Sequence, residues 1–307
     1  MSAASSRNGE SEPATAAGRA IELHDETLRD GTQSTYIREP SVSERLELLA
    51  RMAEVGIESA NIAIPATSAR HLAEATHVCR EVASARLPLV LTCAARTMSA
   101  DVSAVIEVSQ RSGVALEAAI FVGSSPIRGA IEGWDVSWLC ERTAEAVDLA
   151  RRHQLAVCFV TEDTTRTPPE RLEPLFKTAL DHGASRLCLC DTVGHATPDG
   201  VRALVDFVRR FVRAGGYEGI ALDWHGHNDR GLALANSLAA ARAGVDRVHG
   251  TAFGLGERAG NAPMDLLIAN LRPDVLDANR SAFDRYRAVS ARVMDAPWCH
   301  TEWRHEG

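Results

Sequence analysis

Aromatic residues are scarce in this 307-residue chain, at 5% of positions, and no apolar run reaches the 18 residues that mark a membrane-spanning helix. No C-x-x-C occurs, which argues against a thiolate zinc ribbon. The seven cysteines (Cys79, Cys93, Cys140, Cys158, Cys188, Cys190 and Cys299) are odd in number and scattered in apolar settings. That usage predicts a reduced, cytoplasmic protein. Basic clusters are missing too. A net charge of −8 without runs of like charge predicts neither nucleic acid nor an anionic membrane as partner. The first nineteen residues, MSAASSRNGESEPATAAGR, lack the hydrophobic segment of a secretory signal and predict a disordered tail over 1–19.

What is present is ordinary globular composition, 45% hydrophobic and 24% charged, in a chain long enough to bury a large core. Short apolar runs alternate with longer amphipathic ones. Strand candidates fall at 21–28, 59–64, 88–95, 116–123, 156–163, 185–192, 220–227 and 247–254. In "RLCLCD", Cys188 and Cys190 alternate with leucines as small buried residues on a strand do. Between strands lie helical patterns such as SVSERLELLARMAEVG, with Leu46, Leu49, Met52 and Ala53 at helical spacing. Gly56, Gly113, Gly183 and Gly244 mark helix ends, and "TPPE" and "TPDG" mark helix starts.

Eight such units in a row predict an α/β fold, a (β/α)8 TIM barrel over 20–272, with a short C-terminal helical extension and polar tail over 273–307. Polar residues gather where strand after strand ends: Arg29 and Asp30, Arg96, Ser124 and Ser125, Glu162 and Asp163, Asp191 and Thr192, His225 and His227, and the loop from Glu257 to Asn261. In a barrel those ends converge on one face.

The segment "LDWHGHND" concentrates metal-capable groups. Residues i and i+2 of a strand share a face, so His225 and His227 can meet one ion about 6–7 Å apart along the strand. Asp30, at the end of the first strand, reaches the same axis. A His/His/Asp set suits Mg²⁺, Mn²⁺ or Zn²⁺ and leaves coordination positions free for substrate. The same H-x-H also fits two polar rim residues with no ion between them. Asp229 falls beyond the strand end, in a supporting role. Protonated imidazoles do not coordinate, so loss of activity is expected near pH 5–6.

Five motifs in consistent order over 21–272, "HDETLRDGTQ", "FVTEDTTRTPPE", "CDTVGHATPDG", "HGHNDRGLALANSLAAARAGVDRVHGT" and "GLGERAGNAPMD", resemble the 2-isopropylmalate synthase and homocitrate synthase family of metal-dependent barrels. The resemblance implies Asp30, His225, His227 and Asn261 as ligands of a divalent metal that chelates a 2-oxo acid. It implies Arg29 as stabiliser of the alkoxide, Thr192 as holder of the substrate carboxylate and Glu162 as the acid/base on the acetyl-CoA methyl. Asp163 is the rival carboxylate beside it, and Arg96 and Arg128 are further anion contacts. The reaction implied is a Claisen-type condensation of acetyl-CoA with a 2-oxo acid, followed by thioester hydrolysis. The glycines of "GLGERAGN" lack the lysine and spacing of a nucleotide loop and suggest close backbone approach to CoA or substrate.

Two departures stand out. Members that use 2-oxoglutarate carry an arginine where this chain has Cys158, and Val160 replaces a frequent serine, so a 2-oxo acid with an apolar or small side chain is expected. Family synthases also continue into a lid that supplies a His and a Tyr, often across a dimer, whereas His300 and His305 form no recognisable lid motif. A lid-bearing protein partner, a homodimer or hetero-oligomer, and a barrel that works without a lid all remain open. So do a 3-hydroxy-acyl-CoA lyase and a subunit dependent on a partner, although "GLGERAGNAP" lacks the cysteine that related lyases carry in that loop.

Overall fold

The computed structural model describes residues 21–295. The tail over 1–19 and the polar end with Cys299, His300 and His305 lie outside the described residues. Eight parallel strands close into a barrel in simple sequential order, the first pairing with the eighth. They are β1 (Glu22–Asp25), β2 (Ser59–Ala63), β3 (Val90–Arg96), β4 (Glu117–Gly123), β5 (Ala156–Glu162), β6 (Arg186–Asp191), β7 (Ala221–Gly226) and β8 (Arg247–Gly250). The helices α1 (Val42–Glu54), α2 (Ala69–Ser84), α3 (Ser99–Ser112), α4 (Pro126–Glu132), α5 (Val136–Arg152), α6 (Pro169–Asp181), α7 (Pro198–Ala214) and α8 (Ala233–Ala243) fill the crossovers. After β8 come α9 (Met264–Leu271), α10 (Pro273–Ala278) and α11 (Arg280–Met294), so the extension holds two helices where the sequence pattern suggests one.

Local chemistry accounts for these elements. Helix α1 starts at a capping box: Ser41 Oγ accepts from Glu44 N–H while the Glu44 carboxylate accepts from Ser41 N–H. It buries Leu48, Leu49 and Met52, a face shifted from the expected one, with Leu46 and Ala53 half-buried. Gly113 and Gly244 close α3 and α8 in the left-handed conformation, with φ of 73° and 95°. Helix α11 packs on α1 and lends Phe283, Tyr286, Val293 and Met294 to the main core.

The strands sort their side chains by alternation. On β5, Val157 and Phe159 point outward into the core between sheet and helices, while Cys158 and Val160 join Cys188 and Cys190 in a separate small apolar cluster inside the barrel. Lower in the barrel the interior is polar. Arg247 Nη2 lies 2.6 Å from both Glu117 and Asp223, and Arg186 Nη1 lies 2.6 Å from Asp223. The branched apolar layers usual in such barrels are thus replaced on this side by matched charges.

Strands β1 and β8 end earlier than the sequence pattern suggests. Glu26 N–H donates to Gly250 O at 2.8 Å, and then Arg29 and Gly31 N–H both donate back to Glu26 O. Residues 26–31 therefore form a helical turn, and Asp30 sits on that turn instead of the strand end.

Candidate functional site

At the C-terminal mouth a cavity of about 210 Å³ is lined by Arg29, Asp30, Glu162, Thr192, His225 and His227, among others. Strand β7 delivers His225. His227 lies one residue beyond the strand and pairs in an antiparallel bridge with Asn261. The two Nε2 atoms are 3.2 Å apart, and Asp30 Oδ2 lies 3.6 Å from each. Three buried donors of metal-binding type therefore converge, and the residue set fits a divalent cation.

The surroundings set the charges of this group. Burial alone would raise the Asp30 carboxyl, but Arg29 and the two imidazoles outweigh it and hold it well below the usual range. Burial, reinforced by His225, lowers His227 to about 4. The lowered value favours the neutral form of this imidazole, the form that coordinates a cation.

The loop after β8 orients Asp30. Its Oδ1 accepts from Glu257 N–H at 3.1 Å and from Asn261 Nδ2 at 3.0 Å, which leaves Oδ2 toward the histidines. Asn261 thus meets the cluster through its amide nitrogen, which also donates to Leu255 O. Gly256 allows this approach, since a Cβ there would fall 2.6 Å from Asp30 Oδ1 and closer still to Asn261. The glycine loop thus comes close to these side chains.

Arg29 Nε donates to Glu26 Oε2 at 2.6 Å and its Nη1 to Asp30 Oδ2 at 3.2 Å, placing a fixed positive charge on the cavity wall. Glu162 lines the same cavity, and burial raises its carboxyl pKa against the pull of Arg128 and Arg29. Its rival Asp163 is occupied elsewhere, bound twice by Arg166 at 2.7 and 2.8 Å. Thr192 Oγ1 accepts from Asp163 N–H at 2.7 Å and keeps its own proton for another acceptor.

Arg96 does not line this cavity. It stands at the exposed rim, held by Asp101 at 2.7 and 2.9 Å, in a neighbouring cleft of about 390 Å³ that also contains Arg128 and shares Phe121 and Glu162. Asp229 is ion-paired with Arg258 at 2.9 Å.

Several wall residues escaped the sequence reading: His24, Glu26, Asn61, Glu117, Arg247 and His249 all line the cavity. Burial, then His249 and Arg247, lower His24 to about 3. The missed signal was the same i, i+2 spacing that singled out H-x-H. It recurs as His24 and Glu26 in "LHDE", Asp223 and His225 in "LDWH", and Arg247 and His249 in "RVHG".

A closed (β/α)8 barrel with a metal-type constellation at its C-terminal mouth defines the class of protein. A family profile described as HMGL-like matches residues 20–291, and the chain belongs to that family. It is 30% identical over 281 residues to the 2-isopropylmalate synthase of Sediminispirochaeta smaragdinae, covering 91% of this chain and 54% of the relative. It is 32% identical over 255 residues to the homocitrate synthase of Methanopyrus kandleri, covering 81% and 59%. The chain thus spans about half the length of the curated relatives it matches. The fold is shared with the hydroxymethylglutaryl-CoA lyase of Pseudomonas aeruginosa (TM-score 0.69, 19% identity, 89% and 92% covered). It is shared also with the HMG-CoA lyase of Brucella melitensis (TM-score 0.67, 20% identity, 88% and 99% covered). Among the described residues no helix is long and apolar enough to cross a membrane.

Proposed function

We propose that this barrel condenses acetyl-CoA, or a related acyl-CoA, with a 2-oxo acid to give a 2-alkylmalate-like product and free CoA. One observation carries the reading: Arg29, Glu162 and the Asp30/His225/His227 cluster all face a single cavity. Asp30, His225 and His227 would hold a divalent cation, with Asn261 orienting Asp30. That ion supplies Lewis acidity toward the carbonyl and carboxylate of the 2-oxo acid.

The chain's own residues carry the remaining steps. Glu162, with its raised proton affinity, takes a proton from the acyl-CoA methyl, and the resulting enolate carbon bonds to the carbonyl carbon of the acid. Arg29 faces the oxygen that becomes the alkoxide, and its guanidinium stays charged throughout. Thr192 donates its hydroxyl proton to the substrate carboxylate. The alkoxide takes a proton from solvent and Glu162 returns its own to solvent; water then cleaves the thioester, leaving a carboxylate and the CoA thiol. Cys158, Val160, Cys188 and Cys190 form a small, apolar wall, which favours a 2-oxo acid with a small or apolar side chain. The cation, these residue roles and the substrate choice are parts of one proposal.

Thiol release tests it. Protein loaded with Mg²⁺, Mn²⁺ or Zn²⁺ is incubated with acetyl-CoA and a panel of 2-oxo acids, with and without a lid-bearing relative. Release is expected with apolar acids and should fall about 10²–10⁴-fold in Glu162→Gln. No release with any acid under either condition overturns the reading.

A further inference from the structure

Deeper in the same cavity a second set of ligating groups converges, distinct from Asp30, His225 and His227. Strands β1 and β8 pair in parallel with His24 opposite His249, and Glu26 follows two residues after His24 on the same inner face. Glu26 Oε1 lies 3.3 Å from His24 Nε2 and 3.5 Å from His249 Nδ1. We propose that His24, Glu26 and His249 form a second divalent-cation site.

The outer contacts of the two histidines carry this assignment. His24 Nδ1 is engaged with Ser59 Oγ at 2.7 Å, and His249 Nε2 with Asp223 Oδ2 at 3.1 Å. Each ring is thus anchored through one nitrogen and turns the other toward Glu26, the arrangement in which outer partners orient metal-binding imidazoles. One inward atom is left over: His249 Nδ1 has no hydrogen-bond partner among the described residues, although the side chain is buried. A cation at this point would satisfy it. Asn61 turns its amide nitrogen toward Glu26 Oε1, at 3.4 Å.

The nearby Arg247 cation, which disfavours positive charge at His24, is offset by Glu117 and Asp223 at 2.6 Å each. Arg29 takes only the other oxygen of Glu26, and Oε1 faces the two imidazoles with one long contact from Asn61 Nδ2 at 3.4 Å. Two imidazoles and one carboxylate oxygen suit a first-row transition cation of the Zn²⁺, Mn²⁺ or Co²⁺ class better than Ca²⁺.

Metal counting decides the matter. Apo-protein is loaded with Zn²⁺ or Co²⁺, excess ion is removed, and bound metal is measured by mass spectrometry beside circular dichroism to confirm folding. Wild type should retain two equivalents, His249→Ala one, His227→Ala one, and the double variant none. The folded His227→Ala protein, holding only the deeper site, should give a Co²⁺ d–d absorption band that His24→Asn, added to it, removes. This second readout holds even where His249→Ala does not fold. A single wild-type equivalent unaffected by His249→Ala, or a folded His227→Ala protein that binds no ion, overturns the proposal and leaves a proton between Glu26 and His249. Neither result touches the condensation reading, which rests on thiol release.

Discussion

The two clusters in this barrel use nearly the same residue types, two histidines and a carboxylate, yet they are held in different ways. In the deeper set both histidines lie on strands, so the β1–β8 register fixes their separation, and Ser59 and Asp223 anchor their outer nitrogens. At the mouth only His225 lies on a strand. His227 and Asp30 sit beyond strand ends, and His227 Nδ1 has no hydrogen-bond partner among the described residues. The mouth owes its geometry to loops: Glu257 N–H and Asn261 turn Asp30, and Asn228 N–H donates to Gly260 O. A rigid frame therefore carries an adjustable rim, the division expected where chemistry and substrate exchange share one opening.

The comparison breaks most visibly at His227. His227→Ala removes a donor from the rim without touching the frame, so thiol release is expected to fall to background while the melting temperature moves little. Steady-state rates beside a thermal melt check this, and full turnover in the variant would deny the mouth its role. The opposite result is expected at Arg247. Arg247→Ala strips the cation from two buried carboxylates, Glu117 and Asp223, and leaves Arg186 to serve both. About 3–5 kcal/mol of folding stability should be lost, read by denaturant titration. A loss below about 1 kcal/mol would mean that the interior charges relax more freely than a frame should.

This division also explains what was legible in the sequence. Strand positions and helix ends could be read because alternation and glycine caps are local signals; Gly113 and Gly244 close helices as expected. The ends of β1 and β8 could not. Thr27, Leu28 and Thr251 look like strand residues, but backbone bonds between the two strand ends turn the chain at Glu26. The H-x-H at the mouth stood out because two like residues share one short motif. His24 and His249 are 225 positions apart and meet only when the barrel closes, so neither drew notice. Arg96 also ends a strand, but Asp101 on α3, invisible to strand alternation, draws it outward to the rim.

A smaller effect separates loop from frame at Gly256. Gly256→Ala puts a methyl group against Asp30 and Asn261, which forces the loop to yield and the carboxylate to rotate. Metal affinity at the mouth should drop about 10–100-fold, as for other losses of orienting contacts, with the deeper site unchanged. Equilibrium dialysis on wild type and variant reads this directly. Equal affinities would show that the loop merely follows Asp30.

The smallest effect concerns the other face of β1. His24 and Glu26 point into the barrel, and Asp25 between them points outward, where Tyr286 of α11 donates to its Oδ2 at 3.1 Å and Thr27 N–H to its Oδ1 at 2.7 Å. Burial pushes the Asp25 carboxyl up from 3.8 to about 7. The folded chain therefore binds this proton more tightly than the unfolded chain does. The stability that follows is fully present below about pH 4 and is lost as pH rises through about 7. Asn at this position accepts the Thr27 bond without titrating, so Asp25→Asn should gain on wild type by on the order of 1–3 kcal/mol between pH 4.5 and 8. Chemical denaturation of both proteins across that range measures the gap. A gap independent of pH would mean that Asp25 is ionised in the fold. The contact tying α11 to β1 would then be a charged hydrogen bond, and the outer face of this strand would be governed by the same electrostatics as its inner one.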